Sequence, residues 1–196
     1  MNRESLKESV RSQMPAARWQ HTLGVVETSI RLAARYGADP DKAELAAILH
    51  DCCKSWPVDR QAAVIREHAL SEDVLQYDKE LWHAIAGAWV AEKEYGVNDP
   101  EVLDAIRYHT TGRAGMTLLE KVVCLADYIE PGRDFPAVNN IRELAEHSLE
   151  KALVAGFDST IHFLLDRGKK IYPLTVLTRN ALLFELESAG GTMREP

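Results

Sequence analysis

The stretch KAELAAILHDCCK, Lys42 to Lys54, decides how this chain folds. Ala, Leu, Glu and Lys all favour helix. Asp39-Pro40 stands just before it, a cap followed by a first-turn proline. From Ala43 to Cys53 the one charge before His50-Asp51 is Glu44. The spacing therefore predicts a helix over Lys42 to Lys54 that is apolar on most of its surface, and such a helix is buried. Yet it ends in an adjacent His and Asp, and a buried carboxylate is costly unless something pairs with it. A divalent metal would serve both groups. So would a bland arrangement, in which Asp51 takes Lys54 or a backbone amide and His50 is a satisfied core histidine. The dipeptide alone leaves both readings open.

Outward from that helix the chain reads as helices throughout. Residues 1–14 suggest a short polar helix. After Pro15 a long one runs from about Ala16 to Tyr36 and closes at Gly37, with Trp19, Leu23, Val26 and Ile30 as its apolar stripe and His21 facing inward near the edge of the apolar arc. Further helices are expected over Asp59–Ala69, Leu81–Tyr95 and Asp99–His109, with a loop at Ser71–Asp78. His83 stands beside Gly87, where no side chain blocks close approach. Val102, Ile106 and His109 share one face. Tyr108-His109-Thr110-Thr111-Gly112-Arg113 fits either an anion-binding loop or an ordinary helix-ending turn. Met116–Glu130 is a second buried helix with a carboxylate, Asp127, at its end. Asn140–Ala155 and Asp158–Lys170 read as two helices, and Thr175 as the cap of a last one to Glu187. No strand alternation, repeat or linker interrupts this. The expected fold is all-α: one domain over 1–196, a bundle of nine or ten helices with its core at about 16–187 and a disordered tail at 190–196.

The chain has 196 residues, 46% of them apolar, with a net charge of −7. No run approaches the roughly 18 apolar residues that span a bilayer. The polar N-terminus is no secretory signal. Cys52, Cys53 and Cys124 lack framework spacing and sit among apolar neighbours, so they read as core thiols in a reducing cytoplasm. The acidic balance argues against a nucleic-acid partner. Basic groups still cluster at Arg107, Arg113, Lys121 and Arg133, and again at Arg167, Lys169, Lys170 and Arg179. Such clusters can hold a small anion or simply form solvated faces.

Each inward histidine has a dull explanation by itself. Together, His21, His50-Asp51, His83, His109 and Asp127 each lie on or beside an apolar helix face. Imidazole with carboxylate suits iron, manganese, zinc and similar first-row ions, and there are too few thiolates for a structural zinc site. Four ligands from His21, His50, Asp51 and Asp127 would leave open positions for water and substrate, the pattern of a catalytic metal. His68, His147 and His162 receive no role. Neither a Ser-His-Asp arrangement nor a P-loop is present.

The order of these groups resembles the HD-domain phosphohydrolase superfamily. The words around them, RWQHTLGV at Arg18, AAILHDCCK at Ala46, YHTTGR at Tyr108, LADYIEPGR at Leu125 and PLTVLTRN at Pro173, resemble the YqeK-type symmetrical diadenosine-tetraphosphate hydrolases. The resemblance runs from about residue 18 to 180. It departs at Cys52-Cys53, where an aromatic or small pair is expected, which touches packing but no ligand. It implies a bacterial cytoplasmic enzyme that hydrolyses diadenosine tetraphosphate to two ADP at an iron site of one or two ions, with Mn or Co as substitutes. His21, His50, Asp51 and Asp127 match its metal ligands, with Asp51 and Arg133 catalytic. His83, His109, Thr110 and Arg133 match its phosphate-binding positions. Gly24 and the segment Lys170, Ile171, Tyr172, Pro173 to Thr175 match the walls of its nucleotide pocket. Lys54 could add a point charge. A homodimer is compatible with all of this. Two other readings stand beside it: an HD phosphohydrolase of another nucleotide, and a non-catalytic nucleotide-binding or ribosome-associated module.

Overall fold

The computed structural model describes residues 2–190, and these form ten α-helices and no strand: α1 (Arg3–Arg11), α2 (Ala16–Tyr36), α3 (Pro40–Leu49), α4 (Val58–Glu67), α5 (Trp82–Lys93), α6 (Pro100–Arg107), α7 (Leu118–Ile129), α8 (Val138–Leu144), α9 (Leu149–Asp166) and α10 (Pro173–Gly190). The stretch expected as a loop at Ser71–Asp78 is in large part a short 3-10 helix, Glu72–Gln76, and a second one, Lys79–Leu81, leads into α5. Of the tail expected to be disordered, 191–196 lie outside the described residues. No described helix is long and apolar enough to cross a membrane.

Local chemistry sets the helix ends. Asp39 accepts from the Asp41 and Lys42 amides with Pro40 in the first turn of α3, and Asp99-Pro100 repeats the device at α6. Thr117 and Glu120 form a reciprocal capping box on α7. Gly37 closes α2 in the left-handed conformation. α3 and α7, the two helices expected to be buried, form the centre: α3 packs on α2, α6 and α7, while α7 also touches α8 and α9. Ala46, Ala47, Ile48 and Leu49 of α3 meet Val122, Val123, Leu125 and Ala126 of α7 in one core cluster that extends from Leu6 to Leu182.

Three expectations are corrected. α3 stops at Leu49 rather than Lys54, and His50 to Ser55 form successive turns with Cys52 N–H to Leu49 O, Lys54 N–H to Asp51 O and Trp56 N–H to Cys53 O bonds. Asn140–Ala155 and Asp158–Lys170 are not two helices. The break falls at Ala145–Ser148, Ser148 caps α9, and α9 runs on through Gly156, whose bare Cα lies against the Tyr128 ring. On α2, Leu23 and Ile30 are partly exposed, and the buried face is Trp19, Thr22, Val25, Val26, Ser29, Leu32 and Ala33.

Candidate active site

Four helix ends bring the inward polar groups together. His50 terminates α3, and its Nδ1–H donates to the Ala47 carbonyl at 2.7 Å. His109 follows the end of α6 and does the same to Ile106 O, also at 2.7 Å. Each imidazole thereby satisfies a carbonyl that its own helix leaves open and aims Nε2 inward. From α2, His21 points Nδ1 at Glu130 Oε1, 3.1 Å away. Its Nε2 lies 3.4 Å from His50 Nε2, 3.1 Å from Asp127 Oδ1 and 3.5 Å from Asp51 Oδ2.

These contacts assign the protons. Ala47 O and Glu130 Oε1 can only accept, so His50 and His21 carry a proton on Nδ1 and turn a lone pair toward each other. Lone pairs and carboxylate oxygens converging on one point favour a positive charge there. Burial works against a charge on His50, yet the Asp51 carboxylate outweighs it and raises the ring's pKa. Burial would raise the Asp51 carboxyl, but His50 and then His83 hold it well below the usual range. Burial is likewise overcome at Asp127 by the adjacent His21 ring and the Arg133 charge, which hold it low. The cluster is a field that favours a cation, built from hard and borderline donors. A divalent metal ion fits it, held by His21, His50 and Asp51, whose ligand atoms all lie close together.

Asp51, His83 and His109 form a second such group. His109 is pushed down to about 3 by burial and by the neighbouring His50 and His83, so it is neutral at neutral pH with Nε2 unprotonated. His83 differs. Its Nδ1 faces the Lys54 ammonium at 3.4 Å, a donor, so its proton sits on Nε2 and points at Asp51 Oδ1, 3.0 Å away, and at His109 Nε2, 3.1 Å away. In that tautomer His83 donates.

The cluster opens on a cleft of about 900 Å3 whose walls include Lys54, His109, Thr110, Asp127 and Arg133. Arg133 pairs with the Asp127 carboxylate and donates through Nε to the Asp127 carbonyl at 2.7 Å. Thr110 Oγ1 is buried without a partner among the described residues, an orphaned donor at the edge of the cleft. Gly24 and Lys170–Thr175 are not among the cleft-lining residues. Gly24 sits against Glu130: a Cβ there would meet Glu130 Oε2 at 2.5 Å. Tyr172 and Leu174 lie beyond Thr110, around a gap of about 20 Å3 shared with Tyr108 and Thr111. Lys170 is exposed and donates to Gln76 O; Ile171 is half-buried, Pro173 is exposed and Thr175 is buried in the first turn of α10.

Three residues of the site escaped the sequence reading. Glu130 is buried beside His21 and also accepts from the Gly132 amide at 2.6 Å. Arg18, one helical turn before His21, places Nη1 2.9 Å from Asp51 Oδ2. His162, given no role, lines the cleft. Arg18, a basic residue at i−3 from an inward histidine, and Glu130 both stand inside the motifs RWQHTLGV and LADYIEPGR; His162 had no signal.

The chain belongs to the HD-domain family, whose model matches residues 18–132. Within that class it is 47% identical over 183 residues to the symmetrical bis(5'-nucleosyl)-tetraphosphatase of Bacillus subtilis (strain 168), covering 93% of this chain and 98% of that protein. It is 42% identical over 178 residues to the protein of the same name from Staphylococcus aureus (strain NCTC 8325 / PS 47), covering 90% and 92%. The crystal structure of a predicted HD superfamily hydrolase involved in NAD metabolism from Clostridium acetobutylicum matches with a TM-score of 0.90 at 37% identity, covering 94% of this chain and 98% of that one.

Proposed function

We propose that this chain is a metal-dependent phosphohydrolase that cuts diadenosine tetraphosphate symmetrically into two ADP. The observation that carries the reading is the convergence of the His21, His50 and Asp51 ligand atoms, with Asp127 Oδ1 3.1 Å from His21 Nε2, at the wall of a large cleft beside Arg133. The proteins similar to it over nearly their whole length, named symmetrical bis(5'-nucleosyl)-tetraphosphatases, support it. Those four side chains hold the ion. Iron suits the mixed imidazole and carboxylate set, with Mn or Co as substitutes, and one or two ions can be accommodated. When bound, the ion supplies a water that ionises near neutral pH and a Lewis acid for the phosphoryl oxygens.

The chain's own groups do the rest. Arg133 offers a guanidinium fork to the phosphate on which charge builds. His83 donates through Nε2, and the unpartnered Thr110 hydroxyl is free to meet another phosphate oxygen. His109 stays neutral beside them. Lys54 holds the His83 tautomer and adds a positive charge at the cleft wall. The first adenosine lies beyond Thr110, toward Lys170, Ile171, Tyr172, Pro173 and Thr175. Gly24 seats Glu130 at the edge of the nucleotide pocket. The reaction belongs in the cytoplasm, in keeping with three buried, unpaired cysteines.

Hydrolysis in oxygen-18 water tests this. ADP as the sole nucleotide product, half of it labelled, is expected. AMP and ATP in equal amounts, or turnover only of some other nucleotide, would move the chain to a different phosphohydrolase activity.

A further inference from the structure

The cleft is larger than the catalytic cluster needs. Ligand pockets run from about 300 to 1,000 Å3, and this one, at about 900 Å3, lies near the upper end. It is also long. Its wall follows α9 from Ala155 to Asp166, and eleven residues of helix rise about 16 Å. Arg133 and Asp127 stand part-way along it. Toward the Asp166 end of α9 lie Leu81 and Thr110, which share a gap, because Lys169 just past that end is bridged to Asp78. Toward the Ala155 end, where α8 packs on α9, the lining is Phe135, Pro136, Ala137, Asn140, Ala155 and Ser159, none of which the mechanism uses.

That far arm is chemically unlike the middle. Phe135, Pro136, Ala137 and Ala155 make its lining largely apolar. Its polar groups are neutral or already occupied: Tyr128 shares a hydrogen bond with Thr160 at 2.8 Å, and Asp158 is bridged to Arg179 at 2.8 Å. No lysine or arginine lines it beyond Arg133. Such a surface does not suit phosphates. It suits a flat, partly apolar heterocycle, which stacks on an aromatic side chain whatever its sequence context. Asn140 supplies what stacking lacks. Its amide makes no hydrogen bond among the described residues, and an amide carries the donor and acceptor that match the N6 and N7 edge of adenine.

We infer that Phe135, Pro136 and Asn140 form a second purine-nucleoside subsite, on the side of Arg133 away from Thr110, that takes the other adenosine of the dinucleotide. The inference rests on the reading of the chain as a symmetrical dinucleoside-tetraphosphate hydrolase. A cut at the second phosphate leaves identical halves, and the far half must lie somewhere past the cluster. With its own subsite, the substrate is gripped at both ends and the scissile bond is held at the metal ligands.

The test uses the full-length, metal-loaded protein and ADP. Calorimetric titration should find two ADP bound per chain in the native protein and one in Phe135→Leu/Asn140→Ala. One ADP in the native protein, or two of unchanged affinity in the variant, overturns the subsite. Kinetics give a second reading. Adenosine tetraphosphate carries the same phosphates with a single nucleoside. The kcat/KM for diadenosine tetraphosphate should exceed that for adenosine tetraphosphate by about tenfold or more, and the ratio should fall toward unity in the variant. A ratio that is the same in both proteins counts against it. Asn140 is exposed on α8, so Asn140→Ala alone repeats both measurements without disturbing packing. The two readings fail separately. Two bound ADP without dinucleotide cleavage would sink the reaction and leave the subsite. Symmetrical cleavage with a single bound ADP would do the reverse.

Discussion

Glu130 shows how much of a site can rest on a residue to which the sequence assigned no role. Its carboxylate accepts from His21 Nδ1 and so decides which nitrogen of His21 faces the cluster. Gly24 keeps that carboxylate in place by having no side chain. Gly24→Ala should push Glu130 off the ring and lower metal affinity and turnover by about 10- to 100-fold, the usual cost of losing such a partner. Metal content per chain and kcat check it, and a fully metallated, fully active variant would remove Glu130 from the site. Arg133→Ala and Asp51→Asn separate two other roles. Asp51→Asn should lose both the metal and nearly all turnover. Arg133→Ala should keep the metal, because Asp127 remains, and lose about 10²- to 10³-fold in kcat/KM through the missing phosphate charge. Near-native rates in both would mean the site is elsewhere. The inward histidines and both aspartates were legible because a polar group on an apolar helix face is a contradiction that asks for a partner. Glu130 was not, because before Pro131-Gly132 it reads as an ordinary helix end. Its partner lies 109 residues away.

At the scale of elements, the helix ends carry the chemistry. α3 and α6 stop where His50 and His109 turn back on their own carbonyls, so the residues that end the helices are the ones that enter the cluster. The turn after α6 is held from the other side by α10: Thr178 Oγ1 donates to Thr111 O at 2.9 Å. Gly112 in that turn has φ +58°, and a Cβ there would collide with Thr178 Cγ2 and approach the Phe157 ring at 3.0 Å. Gly112→Ala should therefore cost about 2–4 kcal/mol, combining left-handed strain with overpacking. Urea unfolding measures it, and a loss under about 0.5 kcal/mol, the range of an ordinary surface change, would show that α10 is free to move. Caps and prolines made α3, α6 and α7 readable. The α8–α9 boundary was misplaced because Gly156 looks like a breaker. In the fold it is the spot where the Tyr128 ring crosses α9, and tertiary packing overrides the glycine's weak helix propensity.

For the whole molecule, the question is what holds α2, α3 and α7 together when the site carries no ion. The sequence puts two carboxylates, Asp51 and Asp127, where burial is expected, and a buried carboxylate is costly without a partner. The structure provides each with a guanidinium: Arg18 on Asp51 and Arg133 on Asp127. Charge balance thus survives without the metal, and the metal adds stability by mass action alone. Binding only to the native state contributes about 2.7 kcal/mol at a hundredfold excess over Kd. A chelator that strips the ion should lower the melting temperature by a corresponding few degrees, without unfolding the protein at room temperature. Arg18→Ala should enlarge that drop. Its metal-free form leaves Asp51 buried without its guanidinium, whereas its metal-loaded form has the ion as counter-charge. The Arg18 side chain is 30% exposed, so the added loss should be about 1 kcal/mol rather than the several expected of a fully buried pair. Melting curves of both proteins, with and without chelator, complete the cycle. If stripping the metal moves neither melting temperature, the ion does not bind between α2, α3 and α7. If it moves both equally, Arg18 is not what balances Asp51.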